Sequence, residues 1–385
     1  MWFRKSKKGN GCDGMVYFCD ARVPKWSYQH SLAGKIERLI DKSALLRDEL
    51  GGKTVAVKMH FGSEGANRTI RPLLVSKVVD RLKKKGAKPF VTDTVRIKGV
   101  DYLRVAADNG YTHLSCHAPI VLGDGIHGLD GVPVDSGPTV GVIDVASAIY
   151  DSEYMVVLSH CKGHIQSGYG GAVKNLSMGC VAAGSRRGKD EGSRGKMHSP
   201  VMDSPFKWDS EKCTRCNICV EVCPRDAVIF EYDEIKFTEE CWKCGRCARV
   251  CPTGALTSTI TQDKFQRGLA EVANAVIGTF EKGRIIYINF LLEVAPECDC
   301  MPASDTPIVQ DRGIMISGDP VAIDMASIDM INASSALPDS LAGEKAGRER
   351  DTLLDRLYSI DSSRHVRELA SLGAGSMKYR MIKLD

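Results

Sequence analysis

The sequence predicts an α/β fold: a mostly parallel sheet with helices on both faces, interrupted by a smaller inserted unit. Three observations carry this. Short apolar runs alternate along most of the chain with longer stretches of helical periodicity, the pattern of right-handed βαβ units. That alternation stops near residue 204 and resumes near 263. Between those points lies a dense, regularly spaced cysteine array.

Taking the elements in order, residues 34–50 (GKIERLIDKSALLRDEL) set Ile36, Leu39, Ile40 and Leu46 at helical spacing and stop at Gly51-Gly52, before a strand TVAVKM. Arg71-Pro72 opens the helix LLVSKVVDRLKKKGAK, which ends at Gly86 and leads to the strand PFVTDT. GVIDVASAIYDSEYMVVLSH repeats the order of helix then strand. Beyond the cysteines come the helix KFQRGLAEVANAVIGTF, the strands RIIYINFLLEV and GIMISG, and a helix VAIDMASIDMINA opened by Asp319-Pro320. A helix near 344–358 and a strand SMKYRMIKL close the chain. Residues 20–200 and 263–385 are therefore expected to be two parts of one α/β domain, with 204–262 inserted between them. Three consecutive domains are the competing division, and would require the last third to build a core of its own. Residues 184–205, rich in Gly, Ser and charge, read as a solvated linker, with a mobile lid over a site as the alternative.

In the inserted unit, Cys213, Cys216, Cys219 and Cys223 precede Pro224 in the pattern C-x2-C-x2-C-x3-C-P. Cys241, Cys244, Cys247 and Cys251, followed by Pro252, repeat it. Three thiolates on a tight loop can each hold one iron of a cubane, while the fourth cysteine begins a helical turn directed away and serves the other cluster. Cys213, Cys216, Cys219 and Cys251 are thus expected to bind one 4Fe-4S cluster, and Cys241, Cys244, Cys247 and Cys223 a second, in a bacterial-type 2x(4Fe-4S) ferredoxin domain. The prolines stop the last turn from running on as helix. A zinc ribbon also uses C-x2-C pairs, but it takes four cysteines per site and has no use for the others at this spacing. AVIF and IKFT, between the two sets, suit a small hairpin. The array predicts electron transfer, with a redox partner protein as donor or acceptor.

Two strands end in clustered polar residues: TVAVKMHFG in Lys58 and His60, and MVVLSHCKGH in His160, Lys162 and His164. In an open parallel sheet, ligands bind beyond the carboxyl ends of the strands, so both clusters are expected to face one crevice. GYGGAVKN adds small residues for close backbone approach, with Lys174 and Asn175 as donors, a set suited to a small anionic substrate such as a phosphate or carboxylate. It is not a P-loop, because Tyr169 stands where the lysine belongs, nor a dinucleotide fingerprint, because the third glycine is missing. A lysine or histidine ending a strand is often only a solvated loop residue; two such clusters on similar strands argue for a site. Motifs for hydrolysis and radical chemistry are absent from the sequence.

A further pair, Cys298 and Cys300 in ECDCMP, follows the strand RIIYINFLLEV. Buried cysteines commonly act as small hydrophobes, which suits Cys12, Cys19 and Cys116. The polar neighbours Glu297 and Asp299 fit that role less well, and a disulfide between residues i and i+2 would be strained and easily reduced. Cys298 and Cys300 are expected to form an additional metal centre or redox site, with Cys180 and His164 as further candidate ligands.

Composition narrows the partners. With 385 residues and 43% hydrophobic content, the chain can bury a full core. Lys and Arg total 52 against 48 Asp and Glu, and the charges form no basic stripe, so nucleic acid is not an expected partner. Two oxidised clusters with their thiolates would bring the whole near neutrality. No apolar run approaches the roughly 18 residues that span a bilayer, so no membrane span is expected. Fifteen cysteines at metal-ligand spacing argue for a reducing compartment, and a cytoplasmic protein is expected.

The succession HCKGHIQSGYGGAVKNLSMGC, GKMHS, the double cysteine array, YINFLLEVAPECDC and DRGIMISGDPVAIDMASIDMIN resembles an iron-sulfur family, domain of unknown function 362 with a ferredoxin insert. The resemblance runs from about residue 50 to 335. It implies the architecture above and importance for Lys58, His60, Lys162, His164, Lys174, Asn175, Cys180, His198, Cys298, Cys300 and Asp319. Residues 184–195 are longer than that family's usual connection. The layout is also similar to the lactate racemase-like families that hold a nickel-pincer cofactor, but layout alone fixes no function. Together these readings predict an oxidoreductase that passes electrons from two 4Fe-4S clusters to a small anionic substrate or further metal centre in the α/β crevice. A relay or docking subunit for a partner redox enzyme, and a cofactor or cluster assembly factor, stay open beside it.

Overall fold

The computed structural model describes residues 14–384 except 47, 97–99, 189–190, 193, 199–205, 224–225, 240, 242–244, 259–261 and 346–351. Cys12, Pro224 and Cys244 lie outside the described residues. Strands β1 (Met15–Asp20), β2 (Thr54–Lys58), β3 (Lys88–Asp93) and β4 (Ile120–Leu122) precede a hairpin of β5 (Gly131–Asp135) and β6 (Val142–Ala146). Next, β7 (Tyr154–His160) runs into the hairpin β8 (Lys162–His164) and β9 (Gly168–Gly170). The cysteine-rich segment holds β10 (Phe206–Trp208), β11 (Val228–Glu231), β12 (Glu234–Phe237) and β13 (Leu256–Ser258), and β14 (Ile285–Leu291), β15 (Gly313–Ser317) and β16 (Arg380–Lys383) follow it.

Eight of these strands form one sheet in the order β16-β1-β15-β14-β7-β2-β3-β4. Only β15 runs against its neighbours, so the sheet is mostly parallel. Its strands are buried on both faces, and alternate residues feed two separate cores. Val55, Val57, Val156, Leu158, Ile286 and Ile288 pack with the helices Leu32–Ser43 and Pro72–Lys84. On the other face, Ala56, Met155, Val157, Ile285 and Tyr287 pack with the helices Gln262–Gly278, Pro320–Asn332 and Arg364–Ser371. The result is an α/β/α arrangement. At its centre β7 pairs with β14 from Met155–Ile285 to His160–Phe290, which joins strands from either side of the cysteine-rich segment. The four strands of that segment form two separate pairs, β10 with β13 and β11 with β12, outside the large sheet.

Several elements differ from the sequence reading. The helix expected over 34–50 ends at Ser43 because Ala44 turns left-handed at φ 52°, and only a short 3-10 turn, Asp48–Leu50, follows. The first half of GVIDVASAIY is strand β6 with a four-residue helix after it, because β-branched Val142, Ile143 and Val145 pair with β5. The stretch near 344–358 holds two helices, Leu341–Glu344 and Leu353–Tyr358. Strand β1 and the helix Arg364–Ser371 were not anticipated; β1 is specified by partners almost 300 and 365 residues away, which local periodicity does not report. Among the described residues no helix is long and apolar enough to cross a membrane.

One buried carboxylate joins the two ends of the domain. Asp324, fully buried on the helix Pro320–Asn332, accepts hydrogen bonds from the Ala172 and Val173 amides at 2.8 and 2.9 Å and from Asn289 Nδ2 at 2.8 Å. Gly171 precedes the helix Ala172–Gly179, whose first two amides these are, and a Cβ on Gly171 would strike the Tyr169 hydroxyl and Asp324. Asp324→Ala strands these buried donors and is expected to cost about 2–3 kcal/mol in a urea-unfolding measurement. A cost below about 0.5 kcal/mol would contradict this account.

Candidate functional site

Because β2, β3, β7 and β14 run parallel, their carboxyl ends open on one edge of the sheet, where a cavity of about 400 Å³ lies. Lys58, His60, Lys162, His164, Lys174 and Asn175 all line it, and so do Cys298 and Cys300.

The cavity wall is held by two aspartates, each gripping a lysine and a histidine. Lys58 Nζ donates to Asp93 Oδ1 at 2.9 Å, Asn175 Oδ1 at 2.9 Å and the Met59 carbonyl at 2.7 Å, so its three protons are committed to the protein. Gly179 lies against it, and a Cβ at that position would strike Nζ. Asn175 is equally occupied, donating through Nδ2 to the Leu158 carbonyl at 2.8 Å and Ser159 Oγ at 3.1 Å. Lys58 and Asn175 thus position the wall, whereas the sequence reading made them substrate ligands. Asp93 Oδ2 accepts from Tyr102 Oη at 2.6 Å and His60 Nδ1 at 2.8 Å. Fixing Nδ1 in this way leaves His60 Nε2 buried and without a partner on a residue that lines the cavity.

Asp299 repeats the device. It accepts from His160 Nδ1 at 2.9 Å and Lys162 Nζ at 2.8 Å, while His160 Nε2 donates to the Leu292 carbonyl at 2.8 Å. These bonds pin the loop after β14 to the end of β7. Burial pushes both aspartates up, but the charges of Lys58 and His60 on Asp93, and of His160 and Lys162 on Asp299, outweigh it and hold each carboxyl below the usual range.

On the pinned loop, Cys298 Sγ meets Lys174 Nζ at 3.0 Å and the Cys300 amide at 3.4 Å. The Cys300 thiol also donates to it, which lowers Cys298 well below an ordinary thiol; burial opposes this, and the charges of Lys174, Lys162 and His164 reinforce it. Cys300 is correspondingly pushed up by the bond to Cys298, by burial and by the neighbouring sulfur charge. Arg96 completes the group beside Cys300. The Gln166 and Ser167 amides point at His164 Nδ1 at 3.2 and 3.1 Å, and Ser167 Oγ lies 2.9 Å from it.

The other candidates lie elsewhere. Cys180 is fully buried but does not line the cavity, and burial pushes its thiol up to about 12. Asp319 caps the helix Pro320–Asn332, accepting from Val321 and Ala322 amides at 2.9 Å each. The His198 side chain lies outside the described residues. Among the described residues, no three His, Cys, Asp or Glu side chains group as they would around one metal ion. Lys174, Arg96 and Lys162 stand around the Cys298 pair.

Sequence reasoning missed Asp93, Arg96, Asp299 and Arg194. Arg194 Nη1 donates to Thr94 Oγ1 at 2.8 Å and Nη2 to the Val95 carbonyl at 2.6 Å, and both Arg194 and Gly195 line the cavity. Met197 beside them is buried. Within 184–205, where a solvated linker was expected, Arg194 therefore ties to the end of β3 while Arg186, Arg187 and Glu191 are exposed.

In the cysteine-rich segment, the short helices Ile218–Glu221 and Arg246–Arg249 each start after a left-handed residue, Asn217 at φ 60° and Gly245 at φ 72°. β11 and β12 form the hairpin expected of AVIF and IKFT. Cys213, Cys216, Cys219 and Cys251 line one small cavity with Trp208, Phe230 and Leu256. Backbone amides point at the two fourth cysteines: Ala227 N to Cys223 Sγ at 3.2 Å and Leu256 N to Cys251 Sγ at 3.4 Å. Of the second set, Cys241 and Cys247 are described, and Cys247 is buried. Arg249 Nη2 donates to the Ile165 carbonyl at 3.2 Å, which seats the segment against the residue after His164.

The sequence of residues 55–329 matches the model of a family described as domain of unknown function, DUF362. The chain belongs to the DUF362 family. The matched region of this DUF362 protein starts in β2, ends inside the helix Pro320–Asn332 and takes in both halves of the crevice. No curated protein matches it. Among solved structures, the lactate racemase apoprotein from Thermoanaerobacterium thermosaccharolyticum aligns at 14% identity and a TM-score of 0.32, over 72% of the DUF362 chain and 51% of that protein. A structural-genomics protein from Thermotoga maritima aligns at 9% identity and a TM-score of 0.40, over 78% and 58%. The DUF362 chain thus spans 51% and 58% of the length of these two proteins.

Proposed function

We propose that this DUF362 chain is an iron-sulfur oxidoreductase that acts on a small anionic molecule in the crevice. The observation that carries the reading is the buried Cys298 sulfur, gripped by Lys174 and Cys300 in a cavity also lined by Arg96, Lys162, His164 and Arg194. Such a wall attracts carboxylates and phosphates and repels cations.

The described part of the donor set in residues 206–258 suits a 4Fe-4S cluster. A single ion draws its ligands together, whereas a cubane spreads its thiolates around the cluster, and four cysteines lining one cavity suit the second case. Cys213, Cys216, Cys219 and Cys251 would hold one cluster, and Cys241, Cys244, Cys247 and Cys223 the other. Bound clusters supply one-electron transfer. The amides of Ala227 and Leu256 support the ligand sulfurs of Cys223 and Cys251. Arg249 keeps this unit beside the crevice wall at Ile165. Within the crevice, Arg96, Lys174 and Arg194 orient the anion, and His60 takes up or returns a proton at Nε2 while Asp93 holds its ring. A redox partner protein supplies or removes the electrons.

Anaerobic purification with iron and sulfide analysis tests the first half: about eight irons per chain and the EPR signal of reduced 4Fe-4S clusters are expected. Calorimetric titration with malonate and phosphate tests the second, where binding that weakens in Arg96→Met or Lys174→Met is expected. Iron far below eight after anaerobic reconstitution, or no anion binding, would overturn the corresponding half.

A further inference from the structure

We infer that Cys298 is a nucleophile selective for small anionic electrophiles, with Lys174 as its counter-charge and Cys300 as its hydrogen-bond donor. The inference rests on the anion-binding reading of the crevice and adds a covalent role to it. Two donors converge on one sulfur: Lys174 Nζ at 3.0 Å and the Cys300 amide at 3.4 Å. Cys298 is only 4% exposed, yet it lines a cavity large enough for a small molecule. Asp299, between the two cysteines, is tied to His160 and Lys162, so the loop presents the sulfur from a fixed position.

Two other cysteines of the same domain serve as controls. Cys161 and Cys180 are as deeply buried, but neither has a lysine hydrogen-bonded to its sulfur and neither lines the cavity. They behave as small apolar residues, which is the ordinary role of a buried cysteine. Metal binding is the other ordinary role of a close cysteine pair, and here Lys174, Arg96 and Lys162 stand where a cation would be repelled. A thiolate that carries its own counter-charge needs no base to activate it.

The step balances without a further reactant. Cys298 sulfur donates an electron pair to an electrophilic carbon, the C–S bond forms, and the bond to the leaving group breaks with its electron pair departing on that group. The proton of Cys300 stays where it is. The electrophile carries a carboxylate or phosphate that Lys174, Arg96 and Arg194 can hold beside the reacting carbon.

The test uses the full-length protein, purified anaerobically with its iron, and two probes of similar size that differ in charge, iodoacetate and iodoacetamide. Peptide mass spectrometry follows alkylation of Cys298 with time. The iodoacetate-to-iodoacetamide rate ratio at Cys298 is expected to exceed that of the same peptide in denatured protein by about tenfold or more, as a cationic cleft concentrates an anion. Malonate should protect Cys298, Lys174→Met should collapse the ratio, and Lys174→Arg should restore most of it. An unchanged ratio, no reaction with either probe, alkylation falling mainly on Cys300, or loss with Cys298→Ser of metal beyond the eight cluster irons would each overturn the inference. Iron content and malonate binding are read from the same samples. Protein that keeps both but leaves Cys298 unlabelled sinks this inference alone, whereas protein that binds no malonate sinks the crevice reading beneath it.

Discussion

Asp93→Ala is expected to destabilise the chain by about 3–5 kcal/mol, the range for removing one partner of a buried charge pair. Lys58 has no exposure and its charge is compensated by Asp93 alone among its three partners, the others being the Met59 carbonyl and the Asn175 amide oxygen. Without the carboxylate, a lysine charge stays buried in the sheet, and Tyr102 Oη and His60 Nδ1 lose their acceptor. Urea unfolding measures the loss. The pH dependence has a definite sign. Because the folded carboxyl is held below the ordinary value of 3.8, its contribution is fully present above that value and is lost as pH falls toward the folded one. In the wild type this carboxyl's contribution should therefore stay level from neutral pH to about 5 and be lost only in stronger acid. A loss below about 1 kcal/mol would contradict this assignment.

The parts of this site that sequence could report are those written in local pattern. Lys58, His60, Lys162 and His164 follow apolar runs that could only be strands, and the rule that parallel strands open their carboxyl ends on one edge brings them to one cavity. Their distinct roles were not legible. Lys58 and Lys162 look alike as strand-end lysines, but one is sealed between Asp93 and Asn175 and the other is shared between Asp299 and the His160 carbonyl. Those aspartates are 35 and 137 residues from their lysines, and no periodicity links them. The ECDC stretch looked equivocal for the same reason: its two thiols acquire different characters only through Lys174, more than a hundred residues away. Strand β1 likewise has too little local signal to stand out, since β15 and β16, which flank it, come from the far end of the chain.

On the two-cluster reading proposed above, stripping iron from the anaerobic protein is expected to unfold residues 206–258 and leave the eight-stranded sheet standing. Among its described residues, one hydrophobic cluster of that segment is buried, Cys219, Val228, Cys247 and Leu256, with Phe206, Trp208, Phe230 and Phe237 only partly covered around it and the small Ala227 and Ala255 buried besides. Two of those four buried residues are themselves cysteines of the array. A core this small does not offset the ordering of about 50 residues, and domains of this size normally depend on metal or disulfides. The large sheet has no such dependence, because β7 and β14 are buried on both faces between extensive cores. Hydrogen exchange before and after chelation separates the two. Amides of β10 to β13 should lose protection by a factor of a hundred or more, about 3 kcal/mol, while those of β7 and β14 keep theirs. Ile165 and its neighbours should exchange somewhat faster, since Arg249 is their tie to the segment. Unchanged protection of β10 to β13 would mean that the segment holds itself together without iron. Simultaneous loss in β7 and β14 would mean that the sheet leans on the segment, contrary to the separate cores on its two faces.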